Sequence, residues 1–312
     1  MKQLFQAGLT AIFFIVSTIV CNAQPKGGIP LAKTDNIKNK WLNISYATAS
    51  DAQKLDIYLP ETGEGPFPVI VSIHGGAFKM GDKADIQVTP MLEGLKRGYA
   101  VVSINYRLSG EAIFPAQIQD VKAAIRWIKA NAKQYKLNAD KLATWGGSAG
   151  GHLAAMAGTT GDVKELEELS LGNEKYSSRV QAVIDWFGPI NFNTMDDQFK
   201  VSGKGRADHN NTNSPESELV GKKITEATDL VKRANPATYI TKDDPPFFIE
   251  HGTVDHLVPT EQSVDFAKEL EKVLGKEKVT LQLLEGAGHG TPHFSTQENL
   301  NRVFNFLDKL LK

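Results

Sequence analysis

The sequence predicts an α/β domain with a mostly parallel central sheet, helices on both faces and a short lid-like insertion. Three observations predict it. Short β-rich runs alternate with helical patterns from about residue 41 onward. The runs are continuously apolar, as strands buried on both faces require. The helical segments each carry one apolar stripe, so they need a sheet face to cover. A chain of 312 residues is long enough for one large core of this kind.

The strands are expected at Lys54 to Leu59, Val69 to Ile73, Ala100 to Ile104, Lys141 to Trp145, Val180 to Phe187, Phe247 to Glu250 and Val279 to Leu284. The first of these lie close together, so the sheet can begin antiparallel before it turns parallel. Pro115 can open a helix whose Ile118, Val121, Ile125 and Ile128 recur at helical spacing. Pro259 opens another, with Val264, Ala267, Leu270 and Leu274 on one side, and a last helix buries Leu300, Val303, Phe304, Leu307, Leu310 and Leu311. Residues 193–233 interrupt the alternation with a polar stretch rich in Asn, Ser, Asp and Lys, which reads as a lid or a disordered loop.

The first residues read differently. Lys2 precedes an apolar run, Ala11 to Val20, and Cys21-Asn22-Ala23 ends on a small residue, the pattern of a signal peptide cut after Ala23. The run falls short of the roughly 20 residues that a bilayer span needs, and no later stretch approaches that length. The expected location is secreted or periplasmic, with a mobile leader over 24–40 and the catalytic domain over 41–312. The alternative is a lipoprotein acylated at Cys21, although Val20 before it is larger than the residue such signals carry. Cys21 is the only cysteine, so a cleaved chain has neither a disulfide nor a cysteine metal site. A formal net charge of −1 offers no long-range attraction to phosphate backbones or anionic membranes, so nucleic acid is excluded as an expected partner. Neither a cofactor nor a metal is expected, and the sequence leaves the oligomeric state open.

The chemistry-bearing motif is GGSAG, Gly146 to Gly150. Its Gly-x-Ser-x-Gly pattern alone is weak, because both residue types are common. Context strengthens it. Ser148 follows an apolar strand and precedes the small-residue helical segment His152 to Ala157, which is the strand, sharp turn and helix of a nucleophile elbow. Gly146 and Gly150 suit a turn that packs too tightly for side chains. The new helix points its N-terminus at the serine, where backbone N–H groups can receive an oxyanion.

A serine hydroxyl needs a histidine to take its proton, and the histidine needs a carboxylate to fix its tautomer. Both belong on loops after later strands, in the order Ser, Asp, His. Asp255 lies after the strand ending near Glu250, in HGTVDHLVP, and His289 lies after the strand ending at Leu284, in EGAGHG. Among the other histidines, His74 and His251 come too early, His152 sits on the elbow helix, His209 in the insertion and His256 beside Asp255. His293 remains the rival base, at the start of the last helix. For the carboxylate, Asp243 and Asp244 precede the strand and Glu250 lies within it. HGGAF, His74 to Phe78, follows the buried strand Val69 to Ile73, and its backbone can turn N–H groups toward the site. His74 and Gly75 would support that turn, while Gly76, Ala77 and the N–H of Ala149 would receive the oxyanion.

Taken together, LDIYLP (55–60), HGGAF, INYRL (104–108), FPAQIQDVKAAIRW (114–127), WGGSAGGHLA (145–154), DWFGP (185–189), SPES (214–217), HGTVDHLVP and GAGHG resemble the α/β-hydrolase esterases of the hormone-sensitive-lipase-like group, in its bacterial feruloyl- and acetyl-esterase-like (BD-FAE-like) branch. The resemblance implies an α/β-hydrolase fold and hydrolysis of carboxylic esters without a cofactor, through an acyl-enzyme. It casts Ser148 as nucleophile, His289 as general base then acid, Asp255 as its orienting partner, and Gly76, Ala77 and Ala149 as oxyanion donors. Many relatives have a third glycine where Ala77 stands, so the acyl pocket here should be narrower. The implied substrates are acetyl or feruloyl esters of plant polysaccharides, or small short-acyl esters. Two alternatives stay open: a prolyl-oligopeptidase-like peptidase, which shares the architecture but carries a large extra domain, and a non-catalytic binding protein on the same scaffold. In the insertion, Asp196, Asp197, Asp208, His209 and Asn210 could hold a cation instead of serving a lid.

Overall fold

A computed structural model describes residues 28–312, so the expected signal peptide and Cys21 lie outside the described residues. The core is one eight-stranded sheet: β1 (Lys40–Ser45), β2 (Lys54–Tyr58), β3 (Phe67–Ile73), β4 (Ala100–Ile104), β5 (Leu137–Gly147), β6 (Ala182–Trp186), β7 (Phe247–Gly252) and β8 (Val279–Leu284). Their spatial order is β1-β2-β4-β3-β5-β6-β7-β8. β1 and β2 pair antiparallel, as do β2 and β4, and every later pairing is parallel. This is the mixed sheet of an α/β-hydrolase fold.

Among the described residues, eight α-helices accompany it: α1 (Thr89–Leu92), α2 (Ala116–Ala130), α3 (Ala149–Thr159), α4 (Met195–Ser202), α5 (Pro215–Val220), α6 (Thr228–Arg233), α7 (Thr260–Leu274) and α8 (Gln297–Leu311). The period of two along the strands sorts them onto two faces. On one face, Val69, Val71 and Ile73 pack with Ile118, Val121 and Ile125 of α2, Leu153 of α3 and Phe266 and Leu270 of α7. On the other, Ile70, Val101 and Trp145 pack with Met91 of α1 and Leu300, Val303, Phe304 and Leu307 of α8. Strands covered on both sides have no polar face, which is why they read as unbroken apolar runs. Pro115 and Pro259 stand as N-caps just outside α2 and α7. Among the described residues, no helix is long and apolar enough to cross a membrane.

Three expectations change. Strand β1 was not foreseen: it is a largely exposed edge, bulged between Trp41 and Ile44, and neither an apolar run nor a clean alternation marks it. The described part of the expected leader is tied down. Ala32 N–H donates to Ala84 O at 2.9 Å, Ile86 N–H to Pro30 O at 2.7 Å, and Ala32 and Ile37 pack against the core. The insertion 193–233 is ordered and built of α4, α5, α6 and short 3-10 turns. Its polar composition hides widely spaced anchors, Met195, Phe199, Leu219, Val220, Ile224 and Val231, all buried.

Candidate active site

The loops at the C-terminal ends of β3, β5, β6, β7 and β8 meet on one edge of the sheet, the place where open α/β sheets bind ligands. β5 ends at Gly147, and Ser148 caps α3 with φ 57° and ψ −124°, a strained conformation for a residue with a Cβ. The turn is held because its neighbours leave no other path. A Cβ on Gly150 would sit 2.1 Å from Ile73 O, and one on Gly146 would sit 2.3 Å from the Gly150 backbone. Helix α3 therefore passes against the end of β3 at backbone distance, and Ser148 N–H donates to Trp186 O at 2.9 Å.

Three side chains from three loops form one hydrogen-bonded chain. The Ser148 hydroxyl lies 2.9 Å from His289 Nε2, and His289 Nδ1 lies 2.8 Å from Asp255 Oδ2. Asp255 Oδ1 accepts from the N–H groups of Leu257 and Val258, at 2.8 and 3.0 Å. His251 Nε2 stands 3.4 Å from the same carboxylate. Burial alone would raise the Asp255 carboxyl, but the hydrogen bonds from His251 and His289 hold it well below the usual carboxylate range. An ionised Asp255 fixes the proton of His289 on Nδ1 and leaves Nε2 free to accept from Ser148. Phe187, with φ 43°, packs edge-on against the His289 ring at 4.7 Å and limits its rotation.

The HGGAF turn lies beside the serine. A Cβ on Gly75 would meet Ser148 Cβ at 3.4 Å, and Gly76, Ala77 and Phe78 all have positive φ. The N–H groups of Gly76 and Ala77 have no acceptor among the described residues, and Ala149 N–H, at the first turn of α3, has no intrahelical one. Gln87 fixes the turn from behind, its Oε1 accepting from Gly75 N–H at 2.9 Å. His74 is a buried strut. Its Nδ1 bonds Gly75 O at 2.8 Å, its ring stacks on Tyr106 at 4.5 Å, and burial lowers its pKa so that it stays neutral.

The rival residues lie elsewhere. His293 is exposed and bonds Thr291 Oγ1, and His152 is buried between Phe78 and Phe192 with its pKa pushed down to about 4 by burial. Asp244 caps the turn at Thr241, away from the serine. Glu250 is buried in β7, where Asn299 Nδ2 donates to Oε2 at 3.0 Å, and burial raises its carboxyl to about 8. That shift carries a stability prediction. A raised folded-state pKa contributes stability below the unfolded value near 4.5, and that contribution is lost as pH rises through about 8. Glu250→Gln removes the titration, so its thermal midpoint should fall less between pH 5 and pH 9 than the wild type's. Parallel midpoint curves would show that Glu250 carries no such linkage.

Ser148, His289, Ala77 and Ala149 line one cavity of about 760 Å³, together with residues of the insertion between Gly203 and Glu216 and with His256, Leu257 and Val258. The insertion contributes His209, whose role no sequence motif announces. Neither Gln87, which props the HGGAF turn, nor Phe187, which packs on the His289 imidazole, carries a sequence signal. Both act through positions set only by the folded chain.

Residues 55–270 match the BD-FAE family model. The chain belongs to the BD-FAE family. The BD-FAE match includes Gly76, Ala77, Ser148, Ala149 and Asp255, while His289 lies beyond it in the strand-end loop that follows β8. Among relatives, a probable carboxylic ester hydrolase of Mycobacterium tuberculosis, LipM, is 34% identical over 244 residues, covering 77% of this chain and 54% of its own. The chain thus spans about half the length of the mycobacterial proteins it matches. Among solved structures, a truncated carbohydrate esterase from gut microbiota superposes with TM-score 0.79 at 35% identity, covering 90% of this chain and 98% of that one. A bifunctional GH43-CE protein of Bacteroides eggerthii gives TM-score 0.77 at 39% identity, covering 87% of this chain and 35% of its own.

Proposed function

We propose that this BD-FAE chain is a serine carboxylic ester hydrolase acting through an acyl-enzyme. One observation carries the reading: the Ser148, His289 and Asp255 chain opens into the same cavity as the backbone N–H groups of Ala77 and Ala149. Ser148 Oγ attacks the ester carbonyl carbon while His289 Nε2 takes its proton, and the carbonyl oxygen becomes an anion received by the free N–H groups of Gly76, Ala77 and Ala149. The carbon–oxygen bond to the alcohol then breaks, and the alcohol leaves with the proton from Nε2. Water next gives a proton to Nε2 and attacks the acyl carbon. Collapse returns the proton to Ser148 and releases the carboxylic acid. Asp255 stays ionised throughout and stabilises the imidazolium that forms twice per cycle.

The preferred substrates, on this reading, are acetyl or feruloyl esters of plant polysaccharides, met outside the cell after export. The likeness to a carbohydrate esterase supports an ester carried on a sugar. The test is a panel of acetylated and feruloylated oligosaccharides beside 4-nitrophenyl acetate, butyrate and octanoate, with aminoacyl-proline amides as the peptidase arm. Hydrolysis of the acetyl and feruloyl esters, with little turnover of octanoate and none of the amides, is the expected pattern. Cleavage of the amides without the esters would overturn the proposal.

A further inference from the structure

The cavity lining carries two cations that ester hydrolysis itself does not require. These are Lys204 and Arg206, on the segment that follows α4, and both are exposed. Among the described residues, neither forms an ion pair or a side-chain hydrogen bond, whereas Lys200 pairs with Asp197, and Lys79 with Glu218. Behind them, His209 is 8% exposed and built into the wall. Its N–H donates to Asp196 Oδ1, its carbonyl accepts from Ser214 Oγ, its ring stacks on Phe199 at 5.8 Å, and its Nδ1 meets Glu216 Oε2 at 3.1 Å.

Of the two carboxylates that line the cavity, Glu216 is committed, as is Asp196 next to it. Asp196 accepts the N–H groups of His209 and Asn210, and Glu216 accepts from His209. Asp208, exposed at the rim, is the one carboxylate of the cavity lining left without a side-chain partner among the described residues, against two such cations. His256 and His289 complete the titratable lining. Burial would favour a neutral His209, but the Glu216 carboxylate, with Asp196 and Asp208, raises its pKa above the ordinary imidazole value. Since Nδ1 serves Glu216, Nε2 is the nitrogen left to serve a ligand.

We propose that Lys204, Arg206 and His209 form an anion subsite, which takes a carboxylate carried on the alcohol portion of the ester, as on an acetylated oligosaccharide bearing a uronic acid. The proposal rests on the esterase reading of Ser148 and names the substrate class of that site. A guanidinium and an ammonium that line one cavity can hold a carboxylate through charge-assisted hydrogen bonds. Their exposure makes the attraction sensitive to salt.

The test compares acetylated xylo-oligosaccharides with and without a uronic acid substituent, at low and high ionic strength. A further arm uses 4-nitrophenyl esters whose acyl chain ends in a carboxylate. The wild type should turn over the uronate-bearing ester with a KM about tenfold lower than that of the neutral one, the discrimination expected of one charge-assisted contact. Added salt should erode that difference. In the double variant Lys204→Gln, Arg206→Gln, whose exposed side chains carry no packing, the ratio of kcat/KM for the uronate-bearing to the neutral ester should fall about tenfold. Equal KM values in the wild type, or a preference that survives in the double variant, would overturn the subsite. A preference for the acyl-carboxylate esters alone would overturn its assignment to the alcohol portion. Failure of the esterase reading looks different: no ester of either charge would be hydrolysed in a Ser148-dependent way.

Discussion

Ser148→Ala should fold as the wild type does and lose at least a thousandfold in turnover of short acyl esters, a deficit of ~4 kcal/mol or more in transition-state stabilisation. Folding should be spared because alanine keeps the Cβ of serine, so the strain of φ 57° is unchanged and the side-chain hydrogen bond lost is the one to His289. Activity should collapse because, among the described residues, the Ser148 hydroxyl is the one bonded to His289 Nε2. The loss should fall on kcat, since the cavity that binds the ester is intact. A thermal midpoint within a degree or two of the wild type, measured beside the kinetics, separates chemistry from unfolding. Retained turnover in a folded variant would contradict the assignment of the nucleophile.

Asp255→Asn should be nearly as damaging, at about 10³ to 10⁴ in kcat, for a reason specific to this loop. Oδ1 of Asp255 accepts two backbone N–H groups, from Leu257 and Val258, and an amide nitrogen cannot replace it there. The asparagine carbonyl must keep that place, so its NH₂ group takes the position of Oδ2, facing His289 Nδ1. Two donors cannot share a bond. His289 then carries its proton on Nε2, aimed at Ser148, and can no longer accept one. The expected signature is a kcat loss with little change in KM. A loss below tenfold in a folded variant would show that the carboxylate does not set the tautomer.

Much of this site was legible in the sequence because the fold orders its parts along the chain. Each group sits where a parallel strand ends, so Ser148, Asp255 and His289 could be located from three apolar runs and the loops behind them. The preference for His289 over His293 followed from the same rule, since a loop can aim a side chain at the sheet edge while the turn holding His293 faces solvent. The parts that escaped are those whose partners are distant and irregular. Edge strand β1 has no buried face to impose a pattern, and its bulge at Asn43 breaks what alternation there is. The insertion looked polar throughout because its buried anchors are short and widely spaced, as with Met195 and Phe199 on α4. Within it, Asp196 accepts the backbone N–H groups of His209 and Asn210, and Glu216 meets His209 Nδ1, partnerships that no local pattern reveals. Gln87 reaches the HGGAF turn from a 3-10 segment, so its role exists only in the folded chain.

An acyl-enzyme mechanism requires that Ser148 Oγ be the atom that carries the acyl group. Diethyl 4-nitrophenyl phosphate transfers one diethylphosphoryl group to an activated serine, and the adduct persists because its hydrolysis is slow. Intact-protein mass spectrometry should show the gain of a single such group, tandem sequencing should place it on Ser148, and esterase activity should fall in proportion. Ser148→Ala should take up none. Stoichiometric labelling of another residue, or full activity in a protein labelled at Ser148, would contradict the account.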